Sequence, residues 1–160
     1  MLNKISTENK RYWIQHGEEM ENKFAQLYPW AIVNPQKEEN PYLPDLLIQA
    51  ELKYRTMPFF LADVLYRKDP QYTVTFNKKD YEYYRDQFPA VVIIFWVDWQ
   101  LTEWRGCQVK PMKGIWITPF PRINHLVCEG VPLHIYKKRK EDKVNAQESY
   151  LFDLRDFDAL

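Results

Sequence analysis

At 160 residues, the chain is about one domain long, and its 22 basic and 22 acidic side chains leave no formal net charge. That balance argues against tight non-specific DNA binding, although a local basic groove would still suffice for a nucleic-acid partner. With 46% hydrophobic and 16% aromatic residues, only 4 Gly and 11 Pro, the composition favours a rigid, turn-punctuated fold over a disordered chain.

Cys107 and Cys128 form no CxxC pair, so neither a zinc pattern nor a disulfide framework is expected. The opening Met-Leu-Asn-Lys-Ile-Ser is not a signal peptide, and the longest apolar run, 90–97, is too short to span a bilayer. A soluble cytoplasmic protein without membrane contact is the expectation.

Ser6 or Thr7 caps a predicted helix that runs to about Tyr28. Trp13, Met20, Phe24 and Leu27 form its apolar stripe, and Gly17 in the same row predicts close approach of a neighbour. Glu21 lies at the border of that stripe. Trp30 to Val33 reads as a short strand, and Asn34 to Pro41 as a loop.

Ala50 to Arg55 reads as a strand. Side chains alternate faces, so Glu51, Lys53 and Arg55 project together, opposite Ala50, Leu52 and Tyr54. A carboxylate there can hold a divalent cation, and a lysine beside it can orient a water or steady developing charge.

Met57 to Tyr66 reads as a helix with Pro58 in its first turn. Gln71 to Phe76 is a β-rich strand, and Asn77 caps a helix over 78–87. The apolar run Ala90 to Trp99 predicts a central strand buried on both faces. Beyond Gly106, four strands are expected, at 108–112, 114–120, 133–138 and 149–154, with no long helix. They would form either an antiparallel extension of the same sheet or a small β lobe.

Lys137, Lys138, Arg139 and Lys140 make a basic cluster at the expected hairpin end between the last two strands. It is either a solvated turn or a phosphate-contacting tip. His16, His125 and His134 share no ligand spacing, and each reads as a packing or surface residue.

Pro44-Asp45 followed by Glu51-x-Lys53 resembles the signature of the PD-(D/E)XK nuclease superfamily, particularly its small phage or prophage-borne members. The resemblance covers the first hundred residues. It implies an α/β fold: a restriction-endonuclease-like core over 1–100, with a mixed central sheet flanked by helices. Residues 106–160 would be a β-rich C-terminal extension of the same single domain. It further implies Mg²⁺- or Mn²⁺-dependent hydrolysis of DNA phosphodiesters, as an endonuclease or an exonuclease.

Under that resemblance Asp45, Glu51 and Glu21 would hold the metal, Lys53 would orient the attacking water, and Arg55 would contact a phosphate. DNA is the implied partner, with a homodimer or a protein partner also compatible. Only five residues separate Asp45 from Glu51. Fully extended, they would stand about 20 Å apart, so the site requires a tight hairpin at Ile48-Gln49. The alternative is a nuclease-like fold without catalysis, serving as a protein- or nucleic-acid-binding module.

Overall fold

A computed structural model describes residues 7–27, 31–40, 42–137 and 147–160. The chain falls into two compact units, Met1–Gln49 and Ala50–Leu160.

The first unit begins with helix α1 (Thr7–Leu27), close to the expected bounds. Its apolar stripe is less buried than its spacing predicts: Met20, Phe24 and Leu27 are 44%, 37% and 66% exposed. Gly17 is also exposed, and a Cβ there would meet no neighbour within 4 Å among the described residues, so none of them makes the expected close approach. Strand β1 (Ala31–Val33) pairs antiparallel with β2 (Leu46–Ile48).

Asn34 organises the connection between these strands. Its side-chain oxygen accepts the Gln36 N–H at 3.1 Å and caps a 3-10 turn over Pro35–Glu38. The Asn34 amide donates to the Pro44 carbonyl at 2.9 Å, and its backbone N–H donates to the Asp45 carbonyl at 3.0 Å. The reversal therefore lies at the Asn- and Pro-rich loop. The hairpin expected at Ile48-Gln49 is not built there, because neither residue favours the positive φ that a two-residue turn demands.

In the second unit, β3 (Ala50–Arg55), α2 (Ala62–Tyr66), β4 (Thr73–Asn77) and α3 (Lys78–Gln87) precede β5 (Val92–Asp98). A small hairpin, β6 (Glu103–Trp104) and β7 (Cys107–Gln108), turns at Arg105 and Gly106, whose φ values are 48° and 81°. Then come β8 (Lys113–Pro119), α4 (Phe120–Glu129), β9 (Leu133–Ile135), β10 (Glu148–Asp153) and β11 (Asp158–Ala159). One sheet runs β11-β8-β5-β3, with β3 parallel to β5 and the other pairs antiparallel. A second, antiparallel sheet runs β4-β10-β9. The fold is mixed α/β with a mixed sheet.

Strand β5 is central, as its apolar run predicts. Ile93, Phe95 and Val97 are fully buried on one face, but Trp96 on the other is 47% exposed, so burial on both faces is not realised. Phe76 and Phe95 approach edge-on at 6.2 Å, and Phe95 stacks on Phe157 at 5.6 Å. Each fully buried Phe or Ile in this core stabilises the unit by about 1.5–3 kcal/mol.

Two helices differ from expectation. The helix predicted over 57–66 shrinks to α2, because the Phe59 N–H donates to the Thr73 carbonyl at 3.2 Å and Phe60 is buried. Helix α4 falls between the strands expected at 114–120 and 133–138, where no long helix is expected. Its prolines, Pro119 at the cap and Pro121 in the first turn, occupy positions that need no helical N–H, and Gly130 ends it with φ 97°. The C-terminal strands divide between the two sheets, so the expected extension is met and the expected small lobe is not. Strands β8 and β11 extend the β5 sheet, while β9 and β10 join β4.

Candidate functional site

Strand β3 carries the constellation of the second unit. Glu51, Lys53 and Arg55 occupy its half-buried face, and Ala50, Leu52 and Tyr54 its exposed face, as period-2 alternation predicts. Lys53 Nζ lies 2.7 Å from Glu51 Oε1 and 2.7 Å from Asp80 Oδ2. Its side chain is only 12% exposed, with the ammonium 5.5 Å from the Phe76 ring centre and 5.8 Å from that of Tyr84. Lys53 is thus an enclosed cation rather than a surface lysine.

Helix α3 supplies the second carboxylate. The Asn77 side chain accepts the Lys79 N–H at 2.9 Å, which starts the helix where Asp80 falls in its first turn. Tyr84 follows one turn later. Burial raises its phenol pKa above the ordinary value, and the neighbouring Glu51 carboxylate raises it further.

Arg55 donates to the Tyr54 carbonyl at 3.0 Å and to the Thr75 carbonyl on β4 at 3.2 Å. Two of its five N–H donors are thereby used. Burial lowers its pKa, while Asp80, Tyr136 and Glu51 work in the opposite direction.

The first unit holds a similar arrangement. Glu21 Oε1 lies 3.2 Å from Lys37 Nζ, and Asp45 pairs with the same ammonium. The hydrogen bond that Lys37 donates to Asp45 leads in raising the Lys37 pKa. Two of the expected metal ligands, Glu21 and Asp45, therefore meet on a lysine of the 3-10 turn, while Glu51 meets Lys53 and Asp80. Among the described residues, no three His, Cys, Asp or Glu side chains gather as a metal-holding group.

Of the basic cluster, Lys137 is exposed just beyond β9, and Lys138, Arg139 and Lys140 lie outside the described residues. Strands β9 and β10, on either side of the segment, pair antiparallel with Ile135 opposite Glu148. His134 packs, as expected, among aromatic rings. The Tyr66 hydroxyl lies 2.9 Å from its Nδ1, and Phe59 and Tyr136 approach its ring at 4.8 and 4.6 Å. Burial lowers the His134 pKa.

Sequence reasoning misses Asp80, Tyr84 and Lys37. An acid in a helix's first turn is ordinary, so nothing marks Asp80; the fold of β4 and α3 brings it to Lys53. Only the i, i+4 spacing of Asp80 and Tyr84 was readable, and it says that they share a helix face and nothing of what they face.

The chain matches no family model, and no curated protein or solved structure matches it.

Proposed function

We propose that this chain hydrolyses DNA phosphodiester bonds with a divalent cation, in the manner of the PD-(D/E)XK nucleases whose motif it resembles. One observation supports this above all: Glu51 and Asp80 each place an oxygen 2.7 Å from the Lys53 ammonium. Each carboxylate keeps a second oxygen besides the one turned to Lys53, and hard oxygen donors of this kind suit Mg²⁺ or Mn²⁺, which retain water. When bound, the metal would polarise the phosphoryl oxygen and supply a more acidic water.

The chain's own residues take the remaining roles. Glu51 and Asp80 hold the cation. Lys53, between them, orients a water and offsets charge developing on the phosphate. Arg55, with N–H donors unspent, contacts a substrate phosphate. Lys137, Lys138, Arg139 and Lys140 add phosphate contacts that carry no sequence information. Glu21 and Asp45, the other two carboxylates that the resemblance implies, form a second pair whose contribution is read from Glu21→Gln and Asp45→Asn.

The test is Mg²⁺-dependent cleavage of duplex, single-stranded and branched DNA by the wild type, Lys53→Ala, Glu51→Gln and Asp80→Asn. Cleavage by the wild type and its loss in all three variants is expected. Undiminished cleavage by Lys53→Ala removes that lysine from the mechanism.

A second reading has its own observation. Lys53 is already held by two acids of the chain itself, and the whole chain is neutral, which suits a nuclease-like binding module without catalysis. DNA or protein binding by a wild type that cleaves nothing with Mg²⁺ or Mn²⁺ would favour it.

A further inference from the structure

We propose that the corner formed by His134 and Tyr136, backed by Tyr66 and Phe59, is a stacking subsite for one unpaired nucleobase of the DNA substrate; this rests on the activity proposed above. The two rings stand at 89° with centres 4.6 Å apart. A planar base laid on one ring then presents its edge to the other, an arrangement that aromatic quadrupoles favour.

The corner is held rigid from behind. Phe59 meets the imidazole at 4.8 Å and 60°, and Tyr66 meets it at 5.9 Å and 90°. The Tyr66 hydroxyl fixes Nδ1 at 2.9 Å. His134 Nε2 has no hydrogen-bond partner among the described residues. No buried side-chain nitrogen or oxygen among them is left without a partner, so Nε2 is not wholly enclosed. It is a polar atom at the rim of an apolar corner, suited to the edge of a base.

Position supplies the second argument. The Tyr136 phenol is close enough to the Arg55 guanidinium to interact with it electrostatically. Arg55 shares the half-buried face of β3 with Glu51 and Lys53. A strand whose phosphate meets Arg55 therefore has a base within reach of Tyr136. An unpaired base is required, because in a duplex its faces are already covered.

The experiment measures binding of an oligothymidine of about eight nucleotides, a typical single-strand site size, by fluorescence anisotropy in EDTA. A matching abasic deoxyribose-phosphate strand is the control, and Mg²⁺-dependent cleavage is followed separately. Tyr136→Leu should weaken oligothymidine binding roughly ten- to a hundredfold, and Tyr136→Trp should restore it. The abasic strand should bind wild type and Tyr136→Leu alike, and the salt slope should not change. Near-ultraviolet circular dichroism checks that both variants fold, and the Trp variant tests the subsite even if the Leu variant does not.

Equal oligothymidine binding by wild type, Tyr136→Leu and Tyr136→Trp would overturn the subsite and leave the activity standing, provided the wild type cleaves DNA and Glu51→Gln does not. A wild type that binds no oligothymidine would also overturn it. Tyr136-dependent binding without cleavage would do the reverse, upholding the subsite and sinking the nuclease reading.

Discussion

Replacing Lys53 by Met keeps the length and apolar character of the stem and removes only the charge. Glu51 and Asp80, 34% and 37% exposed, are then left together without a cation. An exposed ion pair contributes about 0.2–1 kcal/mol, whereas stripping one partner from a fully buried pair costs about 3–5 kcal/mol. Solvent still reaches both acids, which puts each pair near the top of the exposed range, and the ring contacts with Phe76 and Tyr84 add about 0.5–1 kcal/mol. The expected loss is therefore about 2–3 kcal/mol. In urea, followed by tryptophan fluorescence, the midpoint should fall by about 1 M with the slope unchanged. Mg²⁺ should then rescue the variant, since two uncompensated carboxylates bind it better. At a hundred times its Kd the gain is about 2.7 kcal/mol. An unchanged urea midpoint would refute the idea that Lys53 ties β3 to α3. A variant that Mg²⁺ does not stabilise would refute the Glu51–Asp80 pair as a cation site.

Asn77→Ala removes the cap that starts α3 and should cost about 1 kcal/mol in the same urea assay. Burial holds the folded His134 pKa below its unfolded value of about 6.5, so the unfolded chain binds the extra proton first. Stability should fall as pH drops below about 6.5 toward the folded pKa, and His134→Phe should flatten that limb in pH-dependent unfolding. Replacing Lys137, Lys138, Arg139 and Lys140 by Ser should weaken binding to all DNA sequences alike. Each lost phosphate contact should lower the slope of log K against log salt by about 0.9, with turnover at saturating DNA unchanged.

Local signals were the legible ones. Asn77 announced the start of α3, and the alternation in 50–55 put Glu51, Lys53 and Arg55 on one face. The apolar run at 90–99 announced the central strand. Signals that depend on distant partners were not legible. Asp80 reaches Lys53 across 27 positions of sequence, and Lys37 gathers Glu21 from α1 and Asp45 from the bend before β2. Pro119 and Pro121 start α4 because they fall at its first turn, and a proline's place in a helix is fixed only once the helix exists. The stripe on α1 gave the period of a buried face, but period alone does not say how much of that face is covered.

The β4–β10 pairing has a consequence for the nascent chain. Thr73 lies opposite Asp153 and Asn77 opposite Ser149, so β4 is synthesised long before its neighbour exists. At about 5–20 residues per second, some 4 to 15 seconds separate the two on the ribosome. Throughout that interval β4 presents an open edge, with Val74 and Phe76, both buried at the end of folding, on a strand still waiting for β10. The aromatic core around Phe76 closes only when Phe152 arrives, 6.2 Å away in the finished fold. Chains stalled or cleaved before residue 148 therefore leave that edge and core unpaired, and these fragments are the ones that should aggregate or call on a chaperone.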